Sequence, residues 1–168
     1  TGSKSALVAD FAGLTRDRQY GHSKNSSTVL IDTGGISSES NDMSVAVKNQ
    51  AENAIQEADI LFFLVDGIDG LMPLDEDIAS SLRKTNKEIY LLINKVDGLK
   101  QEANLVEFEK LGFKNTIWFS AAHNQGIDDI REALEELEDN EFNEIQFLED
   151  GIRISIIGRP NAGKSTLI

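Results

Sequence analysis

The stretch "IRISIIGRPNAGKSTLI", residues 152–168, decides the fold of this chain. Its first half is apolar and rich in isoleucine, which is typical of a buried parallel strand. Its second half matches the pattern G-x-x-x-x-G-K-[ST], with Gly158, Gly163, Lys164 and Ser165 at the fixed positions. In this pattern backbone N–H groups and a helix N-terminus bind phosphate, the lysine reaches the β- and γ-phosphates, and the hydroxyl is a magnesium ligand. The alternative is a structural glycine turn, but the preceding strand favours a phosphate loop.

The composition narrows the class of protein. A chain of 168 residues with 40% hydrophobic and 27% charged residues is typical of one globular domain. No apolar run approaches the roughly 20 residues of a membrane-spanning helix, and the absence of cysteine suits a reducing cytoplasm. We therefore expect a cytoplasmic protein with no membrane partner. The net charge of −13 argues against this piece binding nucleic-acid phosphates by itself.

Apolar runs and helical spacings alternate along the chain. Five runs indicate buried strands: Ser27–Asp32, Ile60–Asp66, Ile89–Asn94, Thr116–Ser120 and Ile152–Gly158. Four segments between them have helical apolar spacing: Met43–Ala58, Leu74–Lys84, Ala103–Leu111 and Ile127–Leu137. The sequence therefore predicts an α/β fold with a parallel sheet covered on both faces. Because ligands bind at the carboxyl ends of such strands, the loops that follow them are the candidate site.

A D-x-x-G motif follows the first of these strands, with Asp32 at its start and Gly35 at its end. An aspartate there can hold magnesium through a water molecule, and an unhindered glycine amide can approach a γ-phosphate. The alternative is a tight turn. Asp66 is a rival because it also ends an apolar strand, but Gly70 in "DGIDG" is one place too far. We therefore prefer Asp32.

Two further loops carry groups suited to a guanine base. "NKVD", Asn94–Asp97, follows a strand, and the Asp97 carboxylate can accept hydrogen bonds from the N1–H and exocyclic amine of guanine. "SAAHNQG" begins with Ser120, Ala121 and Ala122, whose small side chains let a backbone amide approach the guanine O6. The alternative for "NKVD" alone is a capped turn, and "SAAHNQG" is the weakest of these motifs when taken alone. Since the same chain carries a phosphate loop, we interpret both as base-binding loops.

The motifs together resemble a Ras-like GTPase, except that the phosphate loop comes last instead of first. The particular residues in these motifs are closer to one family than to GTPases in general. The segments "ALVADFAGLTRDRQYG" (Ala6–Gly21), "IDTGGI", "INKVDG", "FSAAHNQGIDDI" and "IGRPNAGKSTL" are similar to the Der (EngA) family of bacterial ribosome-assembly GTPases. Members of that family carry two GTPase domains in tandem, which are joined by an acidic linker and followed by a KH-like domain.

This resemblance implies a division of the chain. Residues 1–138 correspond to the first GTPase domain without its own first strand and phosphate loop, 139–151 to the acidic linker, and 152–168 to the first strand and phosphate loop of the second domain. We expect the last segment to fold back and complete the first domain, because its apolar strand otherwise leaves a central place in the sheet empty. The same insertion between two chains gives a strand-swapped dimer, so monomer and dimer both stay open.

The implied fold is a Ras-like P-loop GTPase three-layer sandwich with a mostly parallel sheet. It has a permuted motif order, and the C-terminus supplies the phosphate-loop strand. The resemblance also implies nucleotide-binding residues: Asp32, Gly35, Asn94, Lys95, Asp97, Ser120, Ala121, Ala122, Asn161, Ala162, Gly163, Lys164, Ser165 and Thr166. Thr15 of "GLTRD" resembles the switch threonine, which completes a magnesium shell with Ser165 and Asp32. Thr15, Gly35 and Lys164 are the implied catalytic residues.

The implied activity is GTP hydrolysis, which the parent protein uses in large ribosomal subunit assembly. The implied cofactors are GTP or GDP and Mg²⁺. Asn161 matches a loop asparagine that is associated with a monovalent cation in potassium-stimulated relatives. K⁺ is therefore a further implied cofactor. The expected partners are guanine nucleotide and, through the full-length protein, the large ribosomal subunit. Two alternatives share every motif: a switch or docking module with little hydrolysis, and a truncated piece without activity.

Overall fold

The computed structural model describes residues 19–22, 28–32, 52–96, 102–141 and 152–167. The strands in these ranges are β1 (Gln19–His22), β2 (Thr28–Asp32), β3 (Ile60–Asp66), β4 (Glu88–Asn94), β5 (Asn115–Trp118) and β6 (Ile152–Ile157). The helices are α1 (residues 52–57), α2 (Pro73–Leu82), α3 (Glu102–Glu109), α4 (Ile127–Glu141) and α5 (Lys164–Leu167).

The six strands form one sheet in the order β1-β2-β6-β3-β4-β5. Strand β6, which comes last in the chain, lies between β2 and β3 and pairs with both in parallel. Its Ile154 is opposite Leu30 on one side and Ile60 on the other. Only β1 runs antiparallel to its neighbour among the described strands. The predicted fold class is therefore confirmed, including the C-terminal strand within a mostly parallel sheet.

Alternating side chains of β3 build a core on each face of the sheet, as the pleat of a strand requires. Leu61, Phe63 and Val65 pack with buried residues of α2 and α3 on one face. Ile60, Phe62 and Leu64 pack with α4 and with three isoleucines of β6 on the other, namely Ile152, Ile154 and Ile156. All seven β3 residues are buried, and the six before Asp66 are apolar, so β3 contributes apolar side chains to both faces. These three layers bring the loops after β3, β4 and β6 to one edge of the sheet.

The predicted strand bounds agree with the structure to within one or two residues, but two features differ from the sequence interpretation. Strand β1 was not predicted, because "QYGH" has no apolar run and its pairing with β2 is an edge contact. Helix α4 continues to Glu141, into the acidic stretch that we interpreted as a linker. Glutamate is a good helix former, and the apolar spacing of Ile130 and Leu137 carries the helix through this region. The division of the chain into two domains and a linker stays a prediction.

Among the described residues, no helix is long and apolar enough to cross a membrane.

Candidate functional site

The phosphate-loop pattern forms a turn from the end of β6 into α5. The Lys164 side chain is buried, and its ammonium donates to the backbone carbonyl oxygens of Gly158 at 3.0 Å and Arg159 at 2.8 Å. The first helical turn closes through Thr166 N–H, which donates to the Gly163 carbonyl at 3.1 Å. The lysine therefore lies inside the curve of the loop, where a bound phosphate would meet its charge.

Both glycines of the pattern stand where a side chain has no room. A Cβ atom on Gly158 would lie 2.3 Å from the Leu64 carbonyl oxygen of β3. A Cβ atom on Gly163 would lie 2.1 Å from Nδ2 of Asn94, and Gly163 has φ of +103°. Asn161 is also left-handed, with φ of 64°. Such alternation of backbone conformations turns successive N–H groups toward a common concavity, which suits an anion.

The side chain of Asn94 joins three loops at this edge of the sheet. Its Nδ2 donates to the Ala162 carbonyl oxygen in the phosphate loop at 2.8 Å. Its Oδ1 accepts from the N–H of Lys95 at 2.8 Å and from the N–H of Ala121 at 3.0 Å. Asn94 is 3% exposed; its bond to Ala162 is buried, and the bonds from Lys95 and Ala121 are partly buried. One amide side chain thus fixes the distance between the phosphate loop and the two predicted base-binding loops.

The loop after β5 is held by backbone hydrogen bonds within itself and to the loop after β4. Ser120 and Gln125 exchange two backbone hydrogen bonds of 2.8 and 3.1 Å across the turn. Gly126 has φ of +69°, and a Cβ atom there would lie 2.4 Å from the Trp118 carbonyl oxygen. Val96 N–H donates to the Phe119 carbonyl oxygen at 3.3 Å. The two predicted base-binding loops are therefore neighbours with fixed backbones.

A buried carboxylate lies next to these loops. Asp66, the last residue of β3, is 2% exposed and accepts a 2.5 Å charged hydrogen bond from the Lys95 ammonium. Its other oxygen accepts from the N–H groups of Ile68 and Asp69. Lys95 is left-handed, with φ of 64°. Both ends of the Lys95 residue are thus held, the backbone by Asn94 and the ammonium by Asp66.

The phosphate loop is also tied to the β3–α2 segment through Arg159. Its guanidinium lies 3.0 Å from an Asp69 oxygen and 3.4 Å from an oxygen of Asp75. Asp75 has no exposed surface, and it caps α2 by accepting from the Met72 N–H at 3.1 Å. Burial raises the pKa of the Asp75 carboxyl above its usual value, while the Met72 hydrogen bond and the charge of Arg159 oppose that shift.

The predicted site residues divide into three groups. The structure brings together Asn94, Lys95, Ser120, Ala121, Ala122, Asn161, Ala162, Gly163, Lys164, Ser165 and Thr166. The backbone of Asp32 ends β2 opposite Ile156 of β6, beside the phosphate loop. Thr15, Gly35 and Asp97 lie outside the described residues. Asn161, Ser165 and Thr166 are exposed, whereas Ser120 is fully buried.

Sequence reasoning missed the roles of two charged residues. Asp66 was noticed only as a rival magnesium residue, and its partner Lys95 is 29 positions away. Arg159 occupies a variable position of the phosphate-loop pattern, so the motif drew no attention to it. A carboxylate at the end of a fully apolar strand was the available signal for Asp66, since such a group needs a charged partner.

Two solved structures of Era are similar to this chain in fold. Era in complex with MgGDPNP and a segment of 16S ribosomal RNA superposes with a TM-score of 0.62 at 24% identity, over 90% of this chain and 53% of that one. A variant of Era from Aquifex aeolicus bound to GDP·AlF4− gives a TM-score of 0.55 at 22% identity, over 63% and 38% of the two chains. At these identities the likeness establishes the fold.

Curated relatives match the whole chain. GTPase Der of Acinetobacter baumannii is 47% identical over 171 residues, GTPase Der of Marinomonas sp. is 44% identical over 174, and GTPase Der of Legionella pneumophila is 42% identical over 170. The resemblance to the Der family is thereby confirmed. The chain spans 36%, 39% and 37% of the lengths of these three relatives. A sequence model of the family described as 50S ribosome-binding GTPase matches residues 1–95, more than half of the chain, and the chain therefore belongs to that family.

Proposed function

We propose that this chain forms one guanine-nucleotide site, in which the C-terminal phosphate loop and the two base-binding loops act together. The observation that carries the proposal is the Asn94 side chain, which bonds to the phosphate loop at Ala162 and to the two base-binding loops at Lys95 and Ala121. A nucleotide must contact its phosphate-binding and base-binding elements at the same time. Their fixed separation is therefore the feature that a nucleotide site needs and that unrelated turns do not.

The phosphate part of the site has the groups that a nucleoside diphosphate or triphosphate requires. Lys164 supplies the buried positive charge, and the left-handed Asn161 and Gly163 shape the anion-binding concavity. Ser165 lies exposed in the first turn of α5 and presents a hydroxyl oxygen, a ligand type that Mg²⁺ accepts together with phosphate oxygens and water. We place Asp32 and Thr15 as the further magnesium residues, Gly35 as the γ-phosphate amide, and Asn161 as the potassium residue.

The base part of the site is assigned by its loops. We propose that Lys95 and Asp97 of the loop after β4 contact the guanine ring, with Asp97 selecting guanine over adenine. Ser120, Ala121 and Ala122 of the loop after β5 let a backbone amide approach the guanine O6. The small side chains and the closed turn between Ser120 and Gln125 support this assignment, because they keep the loop backbone in one position.

For the full-length protein we propose GTP hydrolysis in the assembly of the large ribosomal subunit. The name of the matching family and the Der relatives support this proposal. We also propose that residues 1–138 and 152–168 derive from successive GTPase domains joined by an acidic segment. The position of β6 between β2 and β3 supports the idea that one domain is completed by the first strand of the next. The completed unit is a monomer if the strand comes from the same chain, and a swapped dimer if it comes from another.

The test is a titration of the purified chain with fluorescent GDP in the presence of Mg²⁺, together with its mass in solution. Lys164→Ala removes the phosphate-binding ammonium and should abolish saturable binding. Lys110→Ala removes an exposed lysine at the end of α3 and serves as the matched control, with unchanged affinity. Absence of GDP binding by the unsubstituted chain, or equal binding by Lys164→Ala, would contradict the proposal.

Hydrolysis is measured separately, as phosphate release from GTP in potassium and in sodium buffers of equal ionic strength. Faster release in potassium supports the Asn161 assignment, and Asn161→Ala should remove that difference. GDP binding without measurable release would favour the switch or docking module over an active enzyme in the isolated chain.

A further inference from the structure

Both carboxylate oxygens of Asp66 accept hydrogen bonds from protein groups, and the proposed nucleotide site assigns no role to this residue. Its Oδ1 accepts the N–H groups of Ile68 at 2.9 Å and Asp69 at 3.3 Å. Its Oδ2 accepts the Lys95 ammonium at 2.5 Å. Asp66 itself is 2% exposed, and both of its oxygens have protein donors. The group is therefore ill placed as a magnesium ligand, since binding a cation would break bonds that are already made.

Lys95 is held in an unusual backbone conformation. Its φ of 64° is left-handed, which is disfavoured by roughly 1–2 kcal/mol for a residue with a Cβ atom. Two contacts keep it there. Its N–H donates to Asn94 Oδ1 at 2.8 Å, and its side chain reaches back along the end of β3 to Asp66. The carbonyl of the same Asn94–Lys95 peptide is held as well, because Gly67 N–H donates to the Asn94 carbonyl oxygen at 2.8 Å.

The direction of the Lys95 side chain follows from this pair. Lysine has four rotatable side-chain bonds, and the Lys95 side chain is 36% exposed, so without a partner its stem would sample many rotamers. The Asp66 carboxylate selects one of them. The Lys95 side chain is thus fixed at its far end and partly exposed, in the loop that the proposed function assigns to the guanine ring.

We propose that Asp66 is a positioning residue for the base-binding loop, which fixes the Lys95 side chain in the orientation that receives guanine. This inference rests on the proposed function, because it needs a base beside Lys95. Asp66 acts through Lys95 and contacts no nucleotide itself. Removal of the Asp66 carboxylate should therefore weaken nucleotide binding only in a chain that still carries the Lys95 side chain.

A double-substitution cycle tests this dependence. Dissociation constants for fluorescent GDP are measured for the unsubstituted chain, Asp66→Asn, Lys95→Met and the variant that carries both substitutions. We expect Asp66→Asn alone to weaken binding about tenfold, the order of a lost charge-assisted hydrogen bond. In the Lys95→Met background the same substitution should change the dissociation constant by less than about twofold, within the usual additivity error.

Glu76→Gln is the matched control for charge. It removes one negative charge from the exposed first turn of α2, ten positions from Asp66, and should leave GDP affinity unchanged. Thermal unfolding without nucleotide shows whether each variant is folded. If Asp66→Asn does not fold, Asp66→Glu replaces it in the cycle, since it keeps the charge but displaces the carboxylate by one methylene.

The outcomes separate the inference from the proposed function. Equal weakening by Asp66→Asn in both backgrounds would identify a general structural role and overturn the inference, while the proposed nucleotide site would stand. If Asp66→Asn left GDP affinity unchanged in the chain that retains Lys95, the inference would also be overturned. No GDP binding by the unsubstituted chain would overturn the proposed function, and the inference with it.

Discussion

Replacing Asn94 with alanine should unlink the three loops at the carboxyl edge of the sheet. The substitution removes a buried hydrogen bond to the Ala162 carbonyl and two partly buried bonds from the N–H groups of Lys95 and Ala121. A hydrogen bond contributes about 0.5–1.5 kcal/mol net, and a buried group left without a partner costs about 1–3 kcal/mol. We therefore expect Asn94→Ala to lower the free energy of unfolding by about 2–4 kcal/mol.

Urea denaturation followed by tryptophan fluorescence measures this change. Trp118 is the single tryptophan of the chain, and its ring packs edge-on against Phe108 with centroids 6.3 Å apart, so it reports on the core. With a slope of about 2 kcal/mol per molar urea, the midpoint should fall by about 1–2 M. The matched control is Asn115→Ala, which removes one exposed hydrogen bond of 2.9 Å to Glu88 and should change stability by less than about 0.5 kcal/mol.

The comparison between the two asparagines is the decisive part of this experiment. If Asn94→Ala and Asn115→Ala shifted the midpoint equally, the Asn94 side chain would not link the loops energetically. The proposal of a single nucleotide site would then lose the observation that carries it.

Three further predictions use the same denaturation assay. Gly163→Ala should destabilise the chain by more than Gly112→Ala, since both have positive φ but only Gly163 places the new Cβ against Asn94; equal effects would contradict the close approach. Ile154→Ala, at a fully buried position of β6, should lower the free energy of unfolding by about 2–5 kcal/mol. Val106→Ala, at a position of α3 that is 57% exposed, should lower it by less than about 0.5 kcal/mol. A small effect of Ile154→Ala would argue against β6 lying in the core. The pKa of Asp75 is raised above 3.8 in the folded state, so its stabilising contribution is present below pH 3.8 and is lost as pH rises through the folded-state pKa. The stability of Asp75→Asn relative to the unsubstituted chain should therefore increase as pH rises above 3.8, and a constant difference would refute this assignment.

The central strands could be predicted because their apolar runs are typical of strands that are buried on both faces. The run Ile60–Asp66 is apolar at every position before Asp66, and the structure buries both of its faces in a sheet covered on both sides. The apolar strand Ile152–Ile157 needed two neighbours for the same reason, which is why its insertion between β2 and β3 could be expected. The edge strand Gln19–His22 has no such constraint, since its pairing depends on backbone bonds that any polar sequence can make.

The site could be predicted only as far as its motifs extend. Lys164 and Asn94 were found because their neighbours in the sequence form patterns with a known purpose. The ion pair of Asp66 with Lys95 and the contacts of Arg159 with Asp75 join residues 29 and 84 positions apart in the chain. Such pairs follow from the order of strands in the sheet, and no local spacing encodes them. The end of α4 was misjudged for a related reason, because an acidic composition fits an exposed helix as well as a linker.

Titration calorimetry of the chain with GDP and with ADP, at equal Mg²⁺ concentration, tests the central claim most directly. If the phosphate loop of β6 and the loops after β4 and β5 form one site, GDP should bind saturably with one nucleotide per chain and ADP should give no saturable heat. Equal heats for the two nucleotides would mean that the phosphate loop acts without the base-binding loops. No heat with either would mean that the loops do not form a nucleotide site.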